Sequence, residues 1–252
     1  MLEYFLCLNL LMLTRLVYLR KDEAIGIRWN VLLTGLQLIL MVLCFSFNTT
    51  LWLVMLVLVI VGGLNLLAEP RLLSKGWRIL TLLVLVFGLD LVLGASDGLH
   101  LRTALVSVVA FLIDNSGLLQ VSPGISGEKL LGVIFGLLML TNEINLFIRM
   151  VFHHFGMEPA REAKLPVTDA SVYGIDTQEY NTGRVIGILE RWLMYLVVLS
   201  TNNLAAIAFI IAAKGLARMK QLDEKIFAEY MLIGTLLSML AAVLMGSWVL
   251  LL

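Results

Sequence analysis

Long apolar runs, separated by short clusters of polar and charged residues, fill almost the entire chain. A helix needs about 20 apolar residues to cross the hydrocarbon core of a bilayer. Its backbone groups must be hydrogen-bonded within the segment, because lipid offers no partners. The pattern therefore predicts a series of membrane helices. The predicted segments are residues 2–19, 29–47, 51–68, 77–94, 100–118, 129–152, 183–201, 203–218 and 226–251.

A membrane β-barrel is not favoured by this pattern. Barrel strands alternate apolar and polar residues over about ten positions, whereas every position from Val54 to Val61 is apolar. Tryptophan marks the ends of several runs, which is typical of an interfacial aromatic belt. These residues are Trp29, Trp52, Trp77 and Trp248. The predicted fold class is all-α, a polytopic transmembrane bundle of seven to nine hydrophobic helices, one of them broken or re-entrant.

Basic residues are concentrated in the first and third connections between predicted helices. They are Arg20, Lys21, Arg28, Arg71, Lys75 and Arg78. The positive-inside rule assigns both connections to the cytoplasm. The connection after 203–218 is also basic, although five full crossings would place it outside. One intervening segment is therefore not a full span. The two weakest are 203–218, which is short, and 100–118, which contains Asp114 and Asn115; we expect 100–118 to be the broken or re-entrant one.

The chain divides into three regions by hydropathy. Residues 1–152 contain the N-terminal helices, and residues 153–182 form the only sizeable hydrophilic stretch. Residues 183–252 form a C-terminal three-helix unit with a cluster of charges. The hydrophilic stretch is interpreted as a surface connection, with a lid or a partner-binding loop as the alternative.

Composition excludes several classes of function. Hydrophobic residues make up 60% of the 252 residues, and 18 basic residues balance 18 acidic ones. This balance excludes a strongly basic nucleic-acid binder. There is no Cys/His cluster with zinc spacing and no nucleotide-binding or nucleophile motif. We therefore expect no metal, no cofactor and no catalytic residues, and an enzyme is not favoured. Arg15, near the end of the first helix, is expected to extend toward the lipid headgroups.

Charged residues inside the last three predicted helices lie at matching depths. Glu190 comes twelve positions before Asn202 and Lys214 twelve after it. At about 1.5 Å rise per residue, both lie about 18 Å from the tight turn at Asn202. After the next turn, near Leu222, Glu229 returns to almost the same level. Glu190, Lys214 and Glu229 are therefore predicted to converge.

The predicted site is a buried polar or anion-binding cluster made of Glu190, Lys214, Arg218 and Glu229. Arg218 lies one helical turn beyond Lys214, on a similar face. A charge in hydrocarbon costs a few kcal/mol or more, so such residues usually pair inside the bundle. Two interpretations remain open: an ion network that fixes helix packing, and a site for an anionic headgroup or substrate. Asn142 and Glu143, in the helix 129–152, are second-tier candidates.

Three ordered motifs in residues 183–240 resemble those of a bacterial polytopic membrane family that is known only as a domain of unknown function. The motifs are Gly187 to Arg191 (Gly-x-Leu-Glu-Arg), Ala212 to Arg218 (Ala-Ala-Lys-x-x-x-Arg) and Ala228 to Ser238 (Ala-Glu-Tyr-x-x-Ile-Gly-Thr-Leu-x-Ser). The His/Asp/Gln pattern on the first helices of that family is not found in this chain. The resemblance implies a bacterial membrane and a shared core of these residues, and it supplies no activity.

The sequence as a whole predicts a multi-pass protein of the bacterial inner membrane. The leading functional interpretation is a transporter-like or channel-like component, or the membrane subunit of a larger complex. A membrane enzyme acting on a lipid-linked phosphate is the first alternative, with a basic pair gripping the anion. A structural anchor for a partner is the second. Expected partners are membrane lipids and either another protein or a second copy of the chain, with no nucleic acid.

Overall fold

The computed structural model describes ten stretches of the chain. They are residues 2–20, 25–72, 75–96, 98–107, 127–155, 177–201, 203–217, 219, 223 and 225–252. The chain forms two compact units, Met1–Leu138 with Leu252, and Met139–Leu251. We call them unit 1 and unit 2. The unit boundary falls where an α-helix changes into a π-helical turn.

Unit 1 is helical. Its helices are α1 (Leu2–Arg15), α2 (Val17–Arg20), α3 (Ile27–Cys44), α4 (Thr49–Leu72), α5 (Lys75–Gly94) and α6 (Gly127–Leu138). Helix α1 packs against α3 and α6, α3 packs against α4, and α4 packs against α5. The Asn9 side chain of α1 donates to the Leu131 carbonyl at 2.9 Å, which ties α1 to α6.

Unit 2 begins with the π turn Met139–Glu143 and continues as four helices. They are α7 (Ile144–His154), α8 (Thr177–Thr201), α9 (Leu204–Ala217) and α10 (Lys225–Leu250). Helix α8 packs against α9, α10 and the π turn, and α10 also packs against α7. Helix α8 therefore packs against most of the other elements of unit 2.

The predicted all-α membrane bundle is confirmed. Six helical stretches of the described chain are long and apolar enough to span a bilayer. They are Leu2–Leu19, Ile27–Cys44, Thr49–Leu67, Gly76–Gly94, Gly127–His154 and Ala228–Leu250. Large apolar side chains on these helices face outward, among them Phe87 and Leu91 at more than two-thirds exposure. Such outward apolar surface fits lipid as the surrounding solvent.

Of the two weakest predicted membrane segments, the structure describes one almost completely and the other only in part. Predicted segment 203–218 forms an apolar helix of only 14 residues, Leu204–Ala217. The predicted break in 100–118 falls largely on residues 108–126, which lie outside the described residues, so it stays a prediction. Of the predicted hydrophilic stretch 153–182, residues 156–176 also lie outside them.

Arg15 does not extend toward the headgroups as its position suggested. Only 3% of Arg15 is exposed, and its Nη2 donates to the Arg78 carbonyl at 2.9 Å. Its guanidinium lies 5.1 Å from the centre of the Tyr18 ring. Helix α1 ends at Arg15, and a carbonyl of α5 together with an aromatic face offers the side chain an interior position.

An asparagine organises the connection between α3 and α4. Asn48 Oδ1 accepts from the Leu51 backbone N–H at 2.8 Å, the arrangement of a helix N-cap. Its Nδ2 donates to the Gly98 carbonyl at 3.0 Å. Gly98 has φ +85°, a conformation that favours glycine. One side chain thus both begins α4 and holds the segment that follows α5.

Adjacent glycines in α4 provide a test of the α3–α4 packing. A Cβ on Gly62 would lie 2.5 Å from Thr34 Oγ1 and 2.8 Å from Thr34 Cγ2, whereas a Cβ on Gly63 would meet nothing within 4 Å. We expect Gly62→Ala to destabilise the protein by about 1–3 kcal/mol because the helices must separate. Gly63→Ala is expected to be neutral, or to stabilise by up to about 1 kcal/mol. Thermal unfolding of both variants in detergent measures the difference, and equal midpoints would contradict this packing.

Candidate functional site

A π-helical turn carries a group of buried polar side chains in unit 2. The turn, Met139–Glu143, lies within Gly127–His154, one of the six candidate membrane spans. Thr141, Asn142 and Glu143 are all buried. Single π turns inside α-helices are rare and are frequent at functional sites, because the wider turn changes the direction of its side chains.

Three consecutive residues of α8 connect two neighbouring elements. Glu190 forms an ion pair with Lys214 of α9. Arg191 Nε donates to the Leu140 carbonyl at 2.9 Å, and Trp192 Nε1 donates to Thr141 Oγ1 at 3.0 Å. Successive side chains on an α-helix point about 100° apart. One short segment of α8 therefore faces α9 with its carboxylate and the π turn with its arginine and tryptophan.

The second-tier candidates Asn142 and Glu143 lie in the π turn itself. Asn142 Nδ2 donates to Glu143 Oε1 at 2.9 Å. Only 3% of Glu143 is exposed, so its carboxyl group lies in the interior of unit 2. These two residues directly follow the ones that Arg191 and Trp192 contact. The structure thus brings a carboxyl, an amide, a hydroxyl, an indole and a guanidinium into one polar region.

The ion pair between Glu190 and Lys214 is the pairing that the depth argument predicts. The two side chains are 18% and 19% exposed, respectively, so the pair is mostly shielded. Lys214 lies near the end of α9, and Glu190 lies in the middle of α8. A shielded pair of opposite charges fixes the register of two helices, since sliding either helix would leave a charge without its partner.

Glu229 does not join this pair, which corrects the predicted three-residue convergence. Its Oε1 lies 3.8 Å from Lys225 Nζ, one turn earlier in α10, and its side chain is 62% exposed. Matching depth is not sufficient for contact, because the direction of a side chain around the helix axis also matters. Arg218, the remaining predicted member, lies outside the described residues.

Arg191 is the functional candidate that the sequence reasoning missed. Only 4% of the residue is exposed. Its terminal nitrogen Nη2 is buried and has no hydrogen-bond partner among the described residues. Its Nη1 lies 3.9 Å from where a Cβ on Gly187 would be, so the guanidinium extends back along α8 over that glycine. The adjacent charges at 190 and 191 indicated an important position, but the sequence did not tell which of the two faced the polar interior.

Other residues of the third motif serve packing. The rings of Phe152 and Tyr230 lie 4.3 Å apart, and a Cβ on Gly234 would lie 3.2 Å from Phe152 Cζ. Tyr230 and Gly234 therefore fit α10 against α7. Thr235, further along α10, is buried, and its Oγ1 has no hydrogen-bond partner within the described part of the chain.

We define the Arg191 centre as Arg191, Trp192 and the π turn Met139–Glu143. Its chemistry is that of hydrogen-bond donors and one carboxyl in a low-dielectric interior, where each interaction is stronger than in water. Across the described residues, no group of three or more His, Cys, Asp or Glu side chains is placed to hold a metal ion. Comparison of the chain with protein families, with functionally curated proteins and with solved structures finds no match.

Proposed function

We propose that this multi-pass membrane protein is a transporter-like component of a bacterial inner membrane, and that the Arg191 centre binds its substrate. The observation that carries the proposal is the buried terminal nitrogen of Arg191, which has no partner among the described residues. An ionisable residue within a membrane bundle is by default a candidate for the substrate path, since keeping a charge there is costly.

The chemistry of Arg191 suggests the class of substrate. A guanidinium has five N–H donors and no acceptor, and it binds carboxylate and phosphate groups through parallel hydrogen bonds. One of these donors already serves the Leu140 carbonyl. We infer that the substrate is a small organic or inorganic anion. The carboxyl group of Glu143 lies buried in the same π turn.

The alternatives have less support. An enzyme gripping a lipid-linked phosphate would need the Lys214 amine for the anion, but Lys214 pairs with Glu190. A purely structural anchor would be expected to have a fully paired polar interior. Arg191 Nη2 and Thr235 Oγ1, both buried, have no hydrogen-bond partners within the described residues. Outward apolar residues of α9, such as Phe209, fit contact with lipid or with another subunit.

The test uses purified protein reconstituted into proteoliposomes on a solid-supported membrane. Concentration jumps of sodium phosphate, sodium acetate and sodium succinate supply the anions, and the transport current is recorded. We expect at least one of these anions to produce a current in the wild type. Arg191→Gln should lower it at least tenfold, since a hydrogen bond to a charged group contributes about 1.5–3 kcal/mol. Arg191→Lys should restore part of it.

Arg184→Gln is the matched control, because it removes the same charge from the same helix two turns away. We expect its current to stay near the wild-type value. Size-exclusion profiles and thermal midpoints show that each variant is folded. The proposal is overturned if none of the three anions gives a wild-type current, or if folded Arg191→Gln retains it.

A further inference from the structure

Two buried polar groups on the packed helices α8 and α10 have no hydrogen-bond partner among the described residues. They are Nη2 of Arg191 in α8 and Oγ1 of Thr235 in α10. Only 4% of Arg191 and 7% of Thr235 are exposed. Leaving a buried polar group unpaired is costly, so two such groups on adjacent helices indicate a position where a ligand completes the hydrogen bonding.

Helices α8 and α10 run in the same direction. Gly246, near the end of α10, contacts Val198, near the end of α8, since a Cβ on Gly246 would lie 2.7 Å from Val198 Cγ1. Antiparallel helices with this contact would overlap only over about their last two turns. The packing of α8 against α10 is among the most extensive in the chain, which requires a longer overlap. The two helices are therefore parallel.

Counting back from this contact places Gly187 and Thr235 level with each other on facing sides. Gly187 comes eleven positions before Val198, and Thr235 comes eleven positions before Gly246. Eleven residues at about 100° each return to within about 20° of the starting side of a helix. The Arg191 guanidinium extends back along α8 over Gly187. It therefore reaches the level of Thr235.

The helices lie further apart at this level than at Gly246. A Cβ on Gly187 would have Arg191 Nη1 at 3.9 Å and no described atom of α10 within 4 Å. At Gly246, in contrast, an added Cβ would overlap a side chain of the other helix. The seam between α8 and α10 thus opens at the level of Thr235. The guanidinium borders this opening on one side and the threonine hydroxyl on the other.

The two unpaired groups define the chemistry of a ligand between them. A guanidinium only donates hydrogen bonds, and a threonine hydroxyl has one O–H to donate. Carboxylate and phosphate groups carry several acceptor oxygens on one centre, so a single group can accept from both donors. The two acidic residues nearest in the fold are engaged elsewhere. Glu190 pairs with Lys214, and Glu143 accepts from Asn142 Nδ2.

We propose that Thr235 is a second substrate-binding residue of the Arg191 centre. The substrate is then an oxyanion held between α8 and α10, with one oxygen on Arg191 Nη2 and another on Thr235 Oγ1. This inference rests on the transport function proposed above. It extends that function by adding α10 to the binding site and by restricting the anion to one with at least two acceptor oxygens.

The test is Thr235→Val in the same proteoliposomes, with concentration series of sodium phosphate, sodium acetate and sodium succinate. Valine has nearly the shape of threonine and lacks the hydroxyl. For each of these anions that gives a wild-type current, we expect the half-saturating concentration to rise about tenfold, because one hydrogen bond to a charged ligand is lost. Thr235→Ser keeps the hydroxyl and should stay close to the wild type.

Thr50→Val in α4 is the matched control, because it removes another buried hydroxyl that has no partner among the described residues. Its half-saturating concentration should equal that of the wild type. Thermal unfolding without these anions separates binding from a structural role. An unpaired buried hydroxyl is unfavourable, so Thr235→Val should unfold at or above the wild-type midpoint. A clearly lower midpoint would show that the hydroxyl serves the fold, and it would overturn the proposal.

The remaining outcomes distinguish this inference from the transport function. If Arg191→Gln lowers the current while Thr235→Val keeps the wild-type half-saturating concentration, the role of Thr235 is refuted and the transport function stands. The opening between α8 and α10 would then hold only water. A sodium chloride jump that gives as large a current as the oxyanions would refute the requirement for two acceptor oxygens. Absence of any wild-type current would overturn both proposals.

Discussion

Replacing Gly246 by alanine is expected to destabilise unit 2 by about 2–3 kcal/mol. A Cβ on Gly246 of α10 would lie 2.7 Å from Val198 Cγ1 and 2.9 Å from Val198 Cβ of α8. Valine in a helix has one strongly preferred rotamer, so it cannot turn away. The fully buried Tyr195 ring, 3.6 Å from the same point, prevents a sideways shift. The two helices must therefore separate, and the close packing between α8 and α10 is lost.

The measurement is unfolding in mixed micelles, titrated with a denaturing detergent and followed by circular dichroism. Gly183→Ala in α8 is the matched control, because a Cβ there would meet nothing within 4 Å. The control should unfold at the wild-type midpoint or slightly above it, since alanine favours the helix. A Gly246→Ala midpoint at or above that of the control would show that α8 and α10 do not approach each other this closely.

Removing one partner of the Glu190–Lys214 pair is expected to lower the stability of the protein by a similar amount. Glu190→Gln leaves the Lys214 amine mostly shielded and without its carboxylate, and Lys214→Met leaves the carboxylate without its amine. We expect each single variant to lose about 2–4 kcal/mol, because the remaining charge is poorly solvated. The double variant should lose much less than the sum, since a neutral pair of similar shape carries no desolvation penalty.

The same detergent titration, applied to all four members of the double-mutant cycle, gives the coupling energy between the two side chains. The pair formed by Lys225 and Glu229 provides the control, because both side chains are well exposed. Removing either of these should produce no measurable change, as is usual for exposed ion pairs. Additive effects of Glu190→Gln and Lys214→Met would contradict the shielded pair.

The depth of the polar residues followed from the sequence, whereas their direction did not. Counting residues from the turn near Asn202 placed Glu190 and Lys214 at one level, and the structure pairs them. The same arithmetic placed Glu229 at that level, but it faces outward and pairs along its own helix. Rise per residue is a fixed property of a helix. Rotation about the helix axis depends on which neighbours a helix packs against, and no local pattern in this apolar chain reveals them.

Two features of the interior arise from contacts between distant parts of the chain. The π turn brings Thr141 to Trp192, which is 51 residues later. In unit 1, Gln37 of α3 donates to Thr14 Oγ1 of α1, and the Arg15 side chain donates to the Arg78 carbonyl. In the sequence, Arg15 is a cation near the end of an apolar run, for which an exposed position at the headgroups is the ordinary expectation. The Arg78 carbonyl and the Tyr18 ring are among the neighbours that make the interior position favourable.

The sequence by itself determined that the chain is a bundle of membrane helices and, for the helices that the structure describes, roughly where each begins and ends. The physical reason is that hydrocarbon leaves backbone groups no partner outside their own segment, so apolar runs of sufficient length must form helices. The tertiary structure decided which of Glu190, Arg191 and Trp192 faces α9 and which faces the π turn. Helix α8 has apolar residues among both its buried and its exposed positions, so hydrophobicity does not distinguish its faces, and close packing against particular neighbours sets the rotation.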